Sequence, residues 1–405
     1  MHMVATKYQD YMFGLIKKVI DEIGPRAPCS EAEKMLGRLL VEEWKPICDR
    51  VDVEPFSCNP TAAVGSYYIL ALLSFASIIL YWFFPPLALA LAAINCAIAF
   101  LEGFRLREFV DFLFPRKQGE NVIGAIRPKG ERTQRVIVSA HMDSQYEWNH
   151  WYYLKDFAVL VQMSAVVALL LAFAGSLAKT IAYFNVFSSP GALNGIGIAM
   201  IALSPIAVLF LFYTSWKPVP GATDNMSGVA VVAGLGKYLE EAKRNRGRFP
   251  ERTEVVLLAT SSEEAALRGA KRYVKRHLEE LRATPTYVLN LDGIMDEKFL
   301  AVLRREFFNG AIHDPSLVKM AQEVAASYHW PMAAVTMPIP GGTDTAHFSK
   351  NRIPAISIYC MDTSRILPNI HTRNDTYDYV RPESLSVSLQ LVIDMIQRID
   401  EKQKT

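Results

Sequence analysis

Five short stretches of the chain carry side chains able to bind a divalent metal, and each follows a run that would position it. Asp224 stands in P-G-A-T-D-N-M-S-G, residues 220–228, after a Pro-Gly turn and ahead of an apolar helical run from Val229 to Leu239. At the mouth of a helix its carboxylate is expected to be presented rather than buried. His141 ends the strand-like R-V-I-V-S-A, Glu263 and Glu264 come after V-V-L-L-A-T, Asp292 ends T-Y-V-L-N-L, and His371 lies in P-N-I-H-T-R-N-D. Open α/β sheets gather their ligands at the C-terminal ends of strands, where the first four of these residues fall. Asp143, two residues after His141, is placed to hydrogen-bond the imidazole and fix its tautomer. Adjacent carboxylates at 263 and 264 repel each other, which a dication would relieve; the alternative is a solvated helix N-terminus, where acids are favoured by the dipole. Neighbouring side chains at such a turn diverge, so one can bind metal while the other faces substrate. Nitrogen and oxygen donors without thiolate suit zinc, with manganese or cobalt as substitutes. Metal plus a free carboxylate is the equipment of metal-assisted hydrolysis.

The elements around these residues read as alternating strands and helices. Helices are expected at Tyr11 to Ile23 and, behind a Ser30–Glu33 capping box, through Trp44, followed by a strand at Val51 to Phe56. Strands at Asn121 to Ile126 and Arg135 to Ala140 lead into His141. Beyond Gly221 come a helix to Lys243, strand Glu254 to Thr260, helix Ala265 to Leu281, and strands Tyr287 to Leu291 and Phe299 to Leu303. Helix Pro315 to Tyr328, strand Ala355 to Tyr359 and a closing helix Pro382 to Glu401 complete the series. This order implies an α/β fold: a mixed, largely parallel sheet flanked by helices.

At 405 residues the chain exceeds one core, and its apolar share of 51% against 21% charged residues is concentrated in a few places. Ser66 to Phe104 carries one charge, Glu102, and is long enough for two membrane crossings of about 20 residues each, with a turn at Phe84-Pro85-Pro86. Phe157 to Ala178 and Ile196 to Trp216 form a second such pair, separated by a loop with Asn185, Ser188, Ser189, Pro190 and Gly191. The reading is therefore a discontinuous catalytic domain of 1–65, 105–155 and 217–405, interrupted by transmembrane hairpins at 66–104 and 156–216. Each hairpin returns the chain to the side it left, so all three catalytic segments share one face of the bilayer. Arg105, Arg107, Lys155 and Lys217 flank the spans on that face against Lys179 opposite, which predicts a cytoplasmic catalytic domain on an integral membrane protein. The aromatic residues Trp148, Trp151, Tyr152, Tyr153, Tyr213 and Trp216 mark the interface, and the short tethers to His141 and Asp224 keep those residues near it. The net charge of +2 does not suggest nucleic acid as a partner, and five cysteines without C-x-x-C spacing read as free thiols in a reducing compartment.

The order H-x-D, D-N-x-S-G, E-E, N-L-D, H-T-x-x-D, with the opening I-G-P-R-A-P-C-S-E-A-E, resembles the co-catalytic zinc aminopeptidases of the M28 peptidase family. The resemblance covers the non-membrane sequence. It implies two zinc ions bridged by Asp224, one completed by His141 and Asp292 and the other by Glu264 and His371. It further implies Glu263 as the general base that activates the attacking water, and Asp143 as the partner of His141. The stretch G-G-T-D-T-A-H-F-S-K-N-R-I-P-A-I is similar to the family's G-T-D-x-x-x-F segment beside the metals, which places Asp344 in the substrate pocket and His347 on its rim. His150, His277, His313 and His329 have no such context. The roughly eighty residues between His141 and Asp224 replace what is a short loop in soluble members. The expected activity is a membrane-anchored exopeptidase on short or apolar peptides, most simply an aminopeptidase. A carboxypeptidase, a one-zinc glutaminyl cyclase-like enzyme, or a scaffold that has lost catalysis are the alternatives.

Overall fold

A computed structural model describes residues 3–184, 190–245, 247–337 and 339–401. In chain order the principal elements are α1 (Gln9–Glu22), α2 (Glu31–Trp44), β1 (Arg50–Cys58), α3 (Ala62–Phe83), α4 (Pro85–Ile98), β2 (Lys117–Ile126), β3 (Gln134–His141), β4 (Tyr146–Trp148), α5 (Phe157–Tyr183), α6 (Pro190–Phe210) and β5 (Thr214–Pro218). They continue with α7 (Ser227–Arg244), β6 (Thr253–Thr260), α8 (Arg268–Ala283), β7 (Thr286–Ile294), β8 (Leu300–Glu306), β9 (Ala311–Ile312), α9 (Pro315–Ser327), β10 (Ala333–Met337), α10 (Thr345–Lys350), β11 (Ala355–Cys360) and α11 (Pro382–Glu401). The chain separates into two compact units.

The first unit comprises Met1–Pro60, Arg116–Tyr146 and Pro218–Thr405. Its sheet runs β1-β2-β6-β3-β7-β11-β8-β10, with β9 beside β8. The centre is parallel: β6, β3, β7 and β11 point one way, with His141 opposite Thr260 and Ser139 opposite Asn290. Three neighbouring strands thus end together, and the residues at those ends are brought to one edge. Residues of β3 alternate between two cores, as a strand covered on both faces must. Val136 and Val138 pack with Met12, Ile16, Leu235 and Leu391 from α1, α7 and α11, whereas Ile137 packs with Tyr273, Val274 and Phe348 from α8 and α10. The expected mixed sheet is found. The short edge elements β9 and β10 and the six-residue α10 had no clear apolar period and were missed by the pattern.

The second unit, Thr61–Pro115 and Glu147–Lys217, contains α3 to α6. Four of its stretches are long and apolar enough to cross a membrane: Ala62–Phe83, Pro85–Phe104, Phe157–Tyr183 and Gly191–Phe210. The expected third apolar stretch, Ile196 to Trp216, needs correction at its C-terminal end. The helix stops at Phe210, and Thr214–Pro218 is a strand paired with Tyr146–Trp148. Hydropathy alone cannot see this, because Tyr213, Thr214 and Trp216 are as apolar or β-branched as a span's end. Within this unit Trp216 donates from Nε1 to the Tyr68 hydroxyl at 2.7 Å and stacks on its ring. Asn185, Ser188 and Ser189 of the intervening loop lie outside the described residues.

Candidate metal centre

Asp224 sits between two imidazoles. Its Oδ1 lies 3.1 Å from Nε2 of His141 and its Oδ2 lies 3.1 Å from Nε2 of His371, one oxygen turned to each ring. Glu264 Oε1 is 3.3 Å from the same His371 nitrogen, and Glu263 Oε2 is 3.9 Å from His141 Nε2. Among the described residues two trios place one donor atom each within 4.8 Å of one another, His141–Asp224–Asp292 and Asp224–Glu264–His371, and Asp224 is common to both. Tetrahedral zinc with bonds of roughly 2.0–2.1 Å separates its ligand atoms by about 3.3 Å, so these spacings suit a cation between them.

The local folding explains how each side chain arrives. His141 is the last residue of β3, and its Nδ1 lies 3.1 Å from the Asp143 backbone carbonyl, leaving Nε2 turned toward Asp224. The Asp143 carboxylate is farther from that ring, at 3.5 Å. It also accepts the backbone N–H groups of Glu263 and Glu264 at 3.0 and 2.9 Å. Asp143 thus faces the imidazole, where it was expected, and fixes the 263–264 turn as well, a second task that H-x-D does not show. Glu263 and Glu264 also do not open a helix. Ser262, Ala266 and Leu267 all have positive φ, and α8 starts only at Arg268, so the pair lies in a coiled turn. Gln145 completes that turn, donating from Nε2 to Glu264 Oε2 at 2.7 Å.

Asp224 is 8% exposed, so the expectation of a presented carboxylate is also corrected. The reason is Asp375. Its Oδ1 accepts from the Thr223 N–H and hydroxyl, its Oδ2 accepts from the Asp224 N–H, and this folds the segment ahead of α7 inward. Asp292 lies within β7, two residues before its end, and is 7% exposed. His371 sits on a loop with φ of 54°. Asp375 and Gln145 were not assigned roles from the sequence; H-T-x-x-D was the one visible hint of the former.

The electrostatics describe a site short of positive charge. Burial, then the neighbouring Asp224, holds Asp292 well above the usual carboxylate range. Burial raises Glu263 well above its ordinary value, with His141 opposing and Glu264 adding, and Glu264 is raised by burial against the pull of His371. Burial alone would lower both histidines, but Glu263 and hydrogen bonds to Asp143 and Asp224 hold His141 well above its ordinary value, while Glu264 leads in pushing His371 up to about 10. Burial would raise Asp224, yet its bonds to the two histidines draw it down. Glu264 Oε1 is buried without a hydrogen-bond partner. A dication on these donors would satisfy that oxygen and the surplus of carboxylates together, so the residues fit the group.

Asp344 precedes α10 and is 1% exposed, with Oδ2 accepting from the Thr260 hydroxyl and Oδ1 buried without a partner. Burial lifts it to about 6, and its charge reaches Glu263 and Asp292. His347 is half-buried on the same short helix and joins neither trio. Of the remaining histidines, His277 pairs with Glu54 and His313 with Glu306, away from the cluster.

With this geometry established, residues 210–396 match the model of peptidase family M28. That stretch resembles an M28 peptidase domain. The matched span holds Asp224, Glu263, Glu264, Asp292, Asp344 and His371, while His141 and Asp143 precede it and join it through the sheet. No curated protein matches the chain. Among solved structures, a zinc-dependent exopeptidase from Parabacteroides distasonis is similar at a TM-score of 0.55 and 14% identity, covering 96% of this chain and 97% of that one. The zinc aminopeptidase BSAP from Bacillus subtilis gives 0.55 and 15%, covering 96% and 94%. A glutaminyl cyclase from an Acidobacteriales bacterium gives 0.56 and 14%, covering 97% and 95%. The chain therefore shares the fold of these three structures.

Proposed function

We propose that this M28 protein is a membrane-anchored, two-zinc aminopeptidase. The observation that carries the reading is Asp224, whose two oxygens face His141 and His371 separately, so that two trios share one carboxylate. His141 and Asp292 would hold one ion with Asp224, and Glu264 and His371 the other. Two such ions would polarise the scissile carbonyl and lower the pKa of the attacking water. Glu263, left over beside this centre, takes the proton from that water at its carboxylate and delivers it to the departing amine. Asp143 and Asp375 act on the backbone, holding the 263–264 turn and the 223–224 segment in register. The charges that act on the site's carboxylates come chiefly from other carboxylates and the two imidazoles. The likeness of the fold to a zinc aminopeptidase, BSAP from Bacillus subtilis, supports an aminopeptidase over a carboxypeptidase.

The four apolar helices are read as an anchor, with the catalytic unit on the cytoplasmic face according to the positive flanks Arg105, Arg107, Lys155 and Lys217. Apolar or membrane-associated peptides are the proposed substrate class. The decisive experiment is metal analysis of the purified protein together with turnover of one peptide series in free and N-acetylated forms. Two zinc ions and cleavage of only the free series are expected; one zinc with cyclisation of N-terminal glutamine, or release from the C-terminus, would overturn the assignment. For topology, Lys129→Cys should resist an impermeant thiol reagent on intact cells and react after permeabilisation.

A further inference from the structure

The N-terminal segment 24–33 hydrogen-bonds to the backbone just after His141, just before Asp224 and just before Glu263. Arg26 is fully buried and spends its guanidinium on backbone carbonyls. Nε donates to Met142 O, Nη1 to Gly24 O and Pro220 O, and Nη2 to Gly221 O, each at 2.9 Å. Met142 is the residue after His141, and Pro220 and Gly221 are the approach to Asp224. The backbone of Arg26 also exchanges bonds with Ser144, its N–H donating to Oγ at 2.9 Å and its carbonyl accepting from the Ser144 N–H at 2.8 Å. Seven residues on, Glu33 is 1% exposed and accepts the N–H of Ser262 at 2.8 Å on Oε1 and that of Cys29 at 2.7 Å on Oε2. Ser262 immediately precedes Glu263 and Glu264.

Gly221 shows how closely the parts are fitted. Its φ is +66°, and a Cβ there would meet Ser144 Cβ at 2.4 Å and Arg26 Nη2 at 3.2 Å. The Asp224 carbonyl would lie at 2.8 Å, so Ser144 and the Asp224 backbone exclude a side chain here, with the guanidinium packed just beyond them. A buried charge bonded to several carbonyls costs more to desolvate than a neutral brace would, and its planar fork reaches carbonyls on two separate loops from one rigid group. Such a group fixes relative position more than it adds stability.

We propose that Arg26 and Glu33 are positioning residues that set the zinc affinity of the centre, Arg26 by locking the His141 and Asp224 loops to each other and Glu33 by locking the turn of Glu263 and Glu264. The inference rests on the two-zinc reading of the site. None of their own atoms needs to touch metal or substrate.

The test measures zinc binding by competition with a chromophoric chelator, with peptide turnover followed separately. Arg26→Lys keeps the charge but replaces the fork with a point donor, and should weaken zinc binding at least tenfold, with turnover recovering at raised zinc. Arg135→Lys is the control, since Arg135 is 5% exposed and paired with Glu254 and Glu280 at the opposite end of β3; it should lose stability without loss of zinc affinity. Should Arg26→Lys fail to fold, Glu33→Gln gives the same information, because its amide must present N–H to one of two N–H donors. Unchanged zinc affinity in whichever of the two folds would overturn the proposal. Weakened zinc binding in a protein that cleaves no peptide would support the brace and sink the peptidase reading instead.

Discussion

The two units solve opposite packing problems with the same residue types. In the catalytic unit most large apolar side chains are inside, and buried polar ones join in networks such as that of Ser139 Oγ, which donates to Asn290 Oδ1 at 2.8 Å, and Asn290 Nδ2, which donates to Ser357 Oγ at 3.1 Å, across three parallel strands. In the helical unit many of the large apolar side chains are outside. Leu72, Phe83, Leu160 and Ile198 are 61%, 78%, 62% and 62% exposed, while Ala88, Ala92, Ala172 and Gly175 are turned inward. Gly197 lies so close to α3 that a Cβ would meet Trp82 at 2.4 Å. Small residues inside and large ones outside are the pattern of helices that pack by close approach in a solvent as apolar as themselves. The inversion is the main support for the anchor, since composition alone would also fit a buried helix pair.

The largest effects are expected at the centre, where the comparison is between binding and catalysis. Asp224→Asn and His141→Ala should lower bound zinc, whereas Glu263→Gln should keep it and lose turnover by about 10²–10⁴-fold, the usual worth of a positioned acid–base group. Equal metal loss in all three would dissolve the division of roles. Zinc affinity should also fall as pH falls. Both imidazoles must be deprotonated to bind, and their neighbouring carboxylates hold His371 up to about 10 and His141 well above its ordinary value. Protons and metal then compete throughout the neutral range. Calorimetry in buffers of different ionisation enthalpy should show proton release on zinc addition at pH 7, and none would contradict these protonation states.

The next test breaks the comparison between the two surfaces. Leu72→Lys, mid-helix on α3, should cost about 2.5–3.5 kcal/mol of insertion free energy and lower the yield of membrane-integrated protein. Ile312→Lys, on β9 of the catalytic unit and 68% exposed, should change stability by no more than about 0.5 kcal/mol. Similar tolerance at both sites would mean that the helical unit meets water.

How much of this was legible depends on whether a feature has a local period. The parallel strands, the amphipathic helices and the apolar spans announce themselves by spacing, and the metal-binding side chains by their position after strand-like runs. What could not be read is where backbone N–H groups go. Asp143 looks like a histidine partner in H-M-D, yet its carboxylate also serves a turn 120 residues away, and Asp375 reaches back more than 150 residues to Thr223. Arg26 stood out only as one letter of the opening I-G-P-R-A-P-C-S-E-A-E. Long-range side-chain to backbone bonds leave no periodic trace, and they are what buries Asp224.

The smallest expected effect compares one asparagine in each unit. Asn290→Ala leaves the buried Ser139 hydroxyl without its acceptor, while Ser357 keeps Thr343 and Thr345, and should cost about 1–3 kcal/mol by denaturant or thermal unfolding. Asn95 on α4 makes bonds of similar length, its Nδ2 donating to Leu70 O at 3.0 Å and Ser74 Oγ at 2.9 Å. Its Oδ1, however, is buried without a partner, so removing the side chain also removes an unsatisfied acceptor. Leu70 O keeps its place as a helix carbonyl, and the Ser74 hydroxyl already donates to it at 2.8 Å. Neither group is orphaned by the substitution. Hydrogen bonds between membrane helices average about 0.6 kcal/mol, and Asn95→Ala should fall at or below that figure when unfolding is followed in detergent micelles. A loss as large as that of Asn290→Ala would show that the bundle relies on a polar core after all.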